Sequence, residues 1–202
     1  SLSRSLERRV FVPLAGVLLC ACSVGSGNGQ FSGWVEVPDC TPRIEYNMRP
    51  TLFVAEAVED LLRVRVQRGS DLEVLSDGLS ILVNDAAHVQ RTYARDEESD
   101  RAARPMDLSL GEELGVSVTL YLNATCPVGR EQERTPVVLG ATSGQLLFNG
   151  IYAPRADPGD VEISAELIDL VFEDPRDEKR RAELDGDFSF LHARGSPAQP
   201  FP

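Results

Sequence analysis

The chain has 202 residues, with 20 basic and 32 acidic side chains, a net charge of −12 and 42% hydrophobic residues. That acidity excludes a nucleic-acid partner and docking on an anionic surface through basic side chains, since both need clustered positive charge. Nineteen of the twenty basic residues are arginine and only Lys179 is lysine, but they are scattered along the whole chain and mark no single site.

Arg4, Arg8 and Arg9 give a basic start, Val10 to Leu19 an apolar run, and Ala21 a small residue directly before Cys22; this is the layout of a secretory signal. The run is too short to cross a bilayer, which needs about 20 apolar residues. The order Leu19-Cys20-Ala21-Cys22 resembles the cleavage box of bacterial lipoproteins. The resemblance implies removal of residues 1–21 as a signal peptide and lipid attachment at Cys22, so that the chain is fastened to a membrane through its lipid. Cys20 has no small residue before it and is the poorer acceptor. By the same resemblance, Ser23 in place of an Asp implies the outer membrane of a bacterial cell envelope. Two or more acyl chains, each buried methylene contributing ~0.8 kcal/mol, hold a domain durably, so the fold itself needs no membrane-binding surface.

Processing takes away three arginines and one glutamate and leaves 181 residues with a net charge of −14, enough for one domain with a real core. It also sorts the cysteines. Cys20 is lost, Cys22 is acylated, and Cys40 and Cys126 remain in an oxidising compartment, where a disulfide is expected. Joining residues 86 apart restricts the unfolded chain by about 4 to 5 kcal/mol in the chain-entropy treatment.

Residues 22–30 read as an acylated tether, because Ser-Val-Gly-Ser-Gly-Asn-Gly-Gln has the composition of a flexible linker. Residues 31–194 read as an all-β domain, an antiparallel β-sandwich of seven to nine strands. Leu62, Val64 and Val66 alternate with Arg63, Arg65 and Gln67, and Val116 to Cys126 alternates throughout, which marks half-buried strands and puts Cys126 on a buried face. Residues 54–62 fit either a helix or the start of a long strand. Asp77-Gly78, between Leu72–Leu75 and Leu79–Val83, signals a tight hairpin. Residues 85–111 are charged and predict a long exposed excursion with one short helix.

Further on, Val161, Ile163, Ala165 and Leu167 alternate, and the apolar phase then slips to Ile168, Leu170 and Phe172, as a β-bulge would produce. The charged stretch Glu173 to Arg181 is expected to join this strand to a last one carrying Phe188 and Phe190, behind a turn at Gly186. Residues 195–202 are rich in proline and predict an extended C-terminal tail, either loose or laid over the sandwich. The segments Ser76 to Asp85, Leu120 to Pro127 and Arg194 to Pro202 resemble those of predicted lipoproteins of myxobacterial type; the resemblance implies location and no activity.

No motif carries a reaction. Gly-x-Ser-x-Gly is absent, and Ser143 has the wrong spacing for a nucleophile elbow. His88 and His192 are the only histidines, neither with a second at ligand spacing, and His192 reads as a surface or rim residue. Asp157, Asp160, Asp174, Asp177, Asp185 and Asp187 read as loop carboxylates, and Asp185-Gly186-Asp187 offers oxygens to calcium without the spacing of a helix-loop-helix site. Trp34, Tyr46, Tyr93, Tyr121 and Tyr152 are the few aromatics for a sugar-stacking platform, with Trp34 beside Phe31 and Val35 reading as core. These observations predict no catalytic residue, no metal ligand and no cofactor. The expectation is an envelope lipoprotein with a structural or protein-contact role and not an enzyme, and the alternative is a glycan- or ligand-binding module.

Overall fold

The structure, a computed structural model, describes residues 22–69, 76–96, 99–126 and 137–193, and of residues 22–25 the backbone alone. The expected signal peptide and the tail 195–202 lie outside the described residues. Eleven strands follow in chain order: β1 (Cys22–Gly25), β2 (Gly27–Val37), β3 (Thr41–Met48), β4 (Leu52–Val58), β5 (Leu61–Gln67), β6 (Asp77–Val83), β7 (Met106–Asp107), β8 (Val116–Leu122), β9 (Val138–Gly150), β10 (Val161–Asp174) and β11 (Asp177–His192). Helix α1 (Ala86–Thr92) follows β6, and a 3-10 turn (Leu108–Leu110) with the one-turn helix α2 (Gly111–Leu114) precedes β8.

The protein is all-β and antiparallel, as its period-two segments predict. The strands form one hydrogen-bonded path in the order β1-β4-β5-β6-β8-β9-β10-β11-β2-β3, with β7 added to β9. The sheet curls until distant strands meet across a shared interior: Phe53 of β4 and Phe190 of β11 have ring centroids 5.6 Å apart. Phe31, Phe53, Phe148, Phe172, Phe188 and Phe190 fill that interior, and each such ring is worth about 3 to 5 kcal/mol against alanine.

The curl has a local cause in the long strands. Between Leu167 and Leu170 the β10–β11 register shifts, and Asp169 takes φ 51°, so the expected bulge is present. Its amide donates to the Asp185 carboxylate at 2.8 Å. Across the other edge of β10 stands Gly144, at φ 100°, where a Cβ would overlap the Asp169 carbonyl oxygen. A bulge of this kind bends the strand and increases its twist, and here it does so in the middle of the three longest strands.

Several expectations are corrected. Residues 22–30, read as a tether, are strand: β1 runs along β4 with Cys22 opposite Glu56, and Gly27 to Gln30 of β2 pair with Phe190 to Asp187 of β11. The glycines serve close approach and not flexibility, since a Cβ on Gly27 would collide with Phe190 Cβ and the Ser189 carbonyl. Asp77 and Gly78 lie inside β6, which pairs with β5 and β8, and not at a turn; Leu72–Leu75 lie outside the described residues. Glu173 to Arg181 is mostly strand, with β10 and β11 joined by Pro175 and Arg176 alone, and Gly186 sits within β11 opposite Phe31.

The ambiguous segment 54–62 is strand, a turn at Glu59-Asp60, and strand again. The excursion 85–111 holds the expected short helix but is less exposed than its charge suggests. Asp85 caps α1 by accepting from the His88 amide at 2.8 Å, and Ala86, Val89, Ala94, Met106 and Leu108 are buried against the sheet.

Candidate functional site

Lipid attachment would start at Cys22, the first residue of β1, and the backbone there lies at an end of the sheet path. No helix among the described residues is long and apolar enough to cross a membrane.

The disulfide pairs Cys40 with Cys126, 86 residues apart. It joins the β2–β3 turn to the chain just after β8, and a carboxylate fixes the turn that precedes Cys126. Asp77 is buried and accepts from the Ala124 amide at 2.8 Å, the Thr125 amide at 3.0 Å and the Thr125 hydroxyl at 2.6 Å. Near it, the Tyr46 hydroxyl of β3 donates to Met48 Sδ at 3.6 Å; burial pushes its pKa up, and the charge of Asp77 adds to the shift. Sequence inspection missed Asp77 because its dipeptide with Gly78 reads as a turn.

Beside the disulfide the hairpin tips are tied electrostatically. Arg180 of β11 bonds Asp39 in the β2–β3 turn at 2.6 Å and Asp174 at 3.1 Å. The Asp174 side chain is fully buried; burial alone would raise its pKa, but bonds from Arg176 and Arg180 to the charged form hold it below the usual carboxylate value. Asp174 is thus a structural anion and not a loop ligand.

The remaining expected acids do not converge. Asp157 accepts from Gln90 Nε2 at 2.8 Å and from the Ala153 amide at 2.7 Å, and Asp185 and Asp187 lie on β11, with Asp185 holding the bulge. Among the described residues no three His, Cys, Asp or Glu side chains are grouped to hold a metal. An open cleft of about 580 Å³ beside α2 contains one ionisable side chain, Glu112. His192 is buried and not on the rim, its ring 4.4 Å from that of Tyr152, and burial lowers its pKa despite the opposing charge of Asp160. His88 is on the exposed side of α1.

An outward-facing cluster centres on Trp34. Phe31 and Val35 point to the core as expected, but Trp34 does not. Strand pleating puts Trp34 on the outer face, because residues one apart alternate between faces. There the Arg43 guanidinium of β3 stacks 3.7 Å from the indole centroid, Arg181 of β11 lies 5.6 Å away, and the indole N–H donates to Glu183 at 3.3 Å. Arg181 also pairs with Glu36 at 3.4 Å. Tyr93 and Tyr121 carry arginines in the same way, Arg104 at 5.9 Å and Arg65 at 5.6 Å, while Tyr46 and Tyr152 are buried.

Every aromatic expected as a stacking platform is therefore buried or associated with a guanidinium. The Trp34 cluster borders β3, which pairs only with β2 among the described residues and exposes Pro42, Arg43, Ile44, Glu45 and Asn47. The chain matches no protein-family model, and no curated protein or solved structure is significantly similar to it.

Proposed function

We propose that this chain is a lipid-anchored, outer-membrane lipoprotein of a bacterial cell envelope, held through Cys22, and that it works by protein contact and not by catalysis. The contact surface is the outer face of β2, β3 and β11 around Trp34. One observation carries the choice of protein over glycan: Trp34, Tyr93 and Tyr121 each have an arginine over the ring. A sugar stacking on such a ring would have to displace a cation, whereas a protein partner accepts tryptophan and arginine together, the residue types most enriched among binding hot spots.

A photo-reactive amino acid at Asn47, beside this cluster, tests the reading in intact cells. The expected product is a discrete cross-linked protein band. Cross-linking to cell-wall glycan alone would transfer the assignment to a glycan-binding module. For the anchor, Cys22→Ala is expected to abolish acyl-chain labelling and release the protein from the membrane fraction, with Cys20→Ala keeping both; labelling that persists in Cys22→Ala overturns the attachment site.

A further inference from the structure

Strand β3 ends the sheet path, so one row of its backbone donors and acceptors faces away from β2. Exposed edges invite pairing with other chains, and charges and prolines usually blunt them. Pro42, Arg43 and Glu45 supply those features here. Between the two charges stands Ile44, opposite Val35 on the core-facing side, yet 38% exposed because no further strand among the described residues covers it.

The order Arg43-Ile44-Glu45 is self-complementary in one antiparallel register. Two copies that keep their core-facing sides continuous must place residues of the same side opposite each other. Centring the pair on Arg43 sets arginine against arginine, and centring it on Glu45 sets glutamate against glutamate. Parallel in-register pairing also stacks like on like. Centred on Ile44, Arg43 faces Glu45 of the second copy twice, and the two isoleucines meet on the apolar side. Opposite charges directly across strands contribute roughly 0.2 to 1 kcal/mol each, and like charges destabilise by similar amounts.

We propose that β3 pairs antiparallel with β3 of a second copy of this chain, centred on Ile44. The proposal names the partner of the contact surface above and rests on that reading. The interface is isologous, closes at two copies and leaves the Trp34 clusters side by side on the outer face. The β2–β3 register shifts between Ile44 and Thr41, so the regular self-pairing is centred on Arg43 to Glu45, and Pro42 lies at the irregularity, where its missing N–H removes at most one ladder hydrogen bond. Confinement to a membrane by the lipid raises the effective concentration at which so short an interface operates.

Cysteine scanning of the full, membrane-bound chain, in which the lipid on Cys22 leaves that sulfur no free thiol, tests the register. Facing residues of an antiparallel pair have Cα atoms about 4.5 to 5.5 Å apart, within the disulfide range, so Ile44→Cys is expected to form a linked dimer on mild oxidation. Asn47→Cys, which does not face itself in this register, is expected to stay unlinked. In the Ile44→Cys chain, Arg43→Glu and Glu45→Arg each reduce cross-linking roughly five-fold, and the double variant, self-complementary again, restores it. Should a charge reversal lose its strand circular dichroism, Arg43→Gln and Glu45→Gln replace it. Equal cross-linking at positions 44 and 47, or a double variant no better than the singles, overturns the pairing. If that happens while the photo-reactive residue at position 47 still captures another protein, contact stands without self-pairing; no captured protein at all removes the contact reading itself.

Discussion

Asp77→Ala should be among the most destabilising single changes outside the apolar core. The substitution removes the acceptor of three donors within 3.0 Å, two amides and a hydroxyl. A hydrogen bond to a charged group is worth about 1.5 to 3 kcal/mol, and a buried donor left unpaired costs about 1 to 3. Ala124 is exposed, so water satisfies its amide in the variant, whereas Thr125, which donates twice, is half-buried. Discounting the first bond and keeping the others gives a loss of about 3 to 5 kcal/mol, a large share of the 5 to 15 kcal/mol typical of a domain. Asp77→Asn retains one acceptor oxygen and should lose about half as much. Urea unfolding with the Cys40–Cys126 bond intact, followed by circular dichroism, measures both variants. A loss below about 1 kcal/mol in Asp77→Ala would show that the turn at 123–126 is held by the disulfide alone and that the carboxylate contributes little.

Gly27→Ala forces a Cβ against Phe190 and the Ser189 carbonyl and should cost about 1 to 3 kcal/mol as overpacking; an unchanged melting temperature would mean that this segment is a tether after all. Because burial depresses the His192 pKa below its ordinary 6.5, the unfolded chain takes up this proton first. Its contribution is present above pH 6.5 and lost as pH falls through the lower folded value, so stability measured from pH 7 to 5 should decline less steeply in His192→Gln. Trp34→Ala should cost only about 1 kcal/mol, the scale of an exposed cation–π contact, and a loss near the 3 to 5 kcal/mol of a core aromatic would place Trp34 inside.

Much of the fold is legible in the sequence because half-buried strands write their geometry into period-two alternation. Leu62-Val64-Val66 and Val116-Val118-Leu120-Leu122 read directly, and so does the bulge, because a strand whose apolar phase slips by one residue must absorb that residue somewhere. The disulfide is legible from counting cysteines in a chain whose first residues read as an export signal. The anchor at Cys22 rests on the sequence alone.

What alternation does not encode is who lies beside whom. Gly27 and Gly29 carry linker composition, and only the neighbouring Phe188 and Phe190 explain why side chains must be missing there. Asp77-Gly78 has the local chemistry of a turn, but pairing with β5 and β8 holds it extended, and the freed carboxylate caps a turn 47 residues away. Trp34 and His192 were misjudged for one physical reason. An aromatic or imidazole ring is compatible with either face of a sheet, so its burial is fixed by strand phase and by the rings and guanidinium groups that other strands bring to it. Local sequence sets which residues can form a strand, whereas the curl of the sheet decides which of them meet.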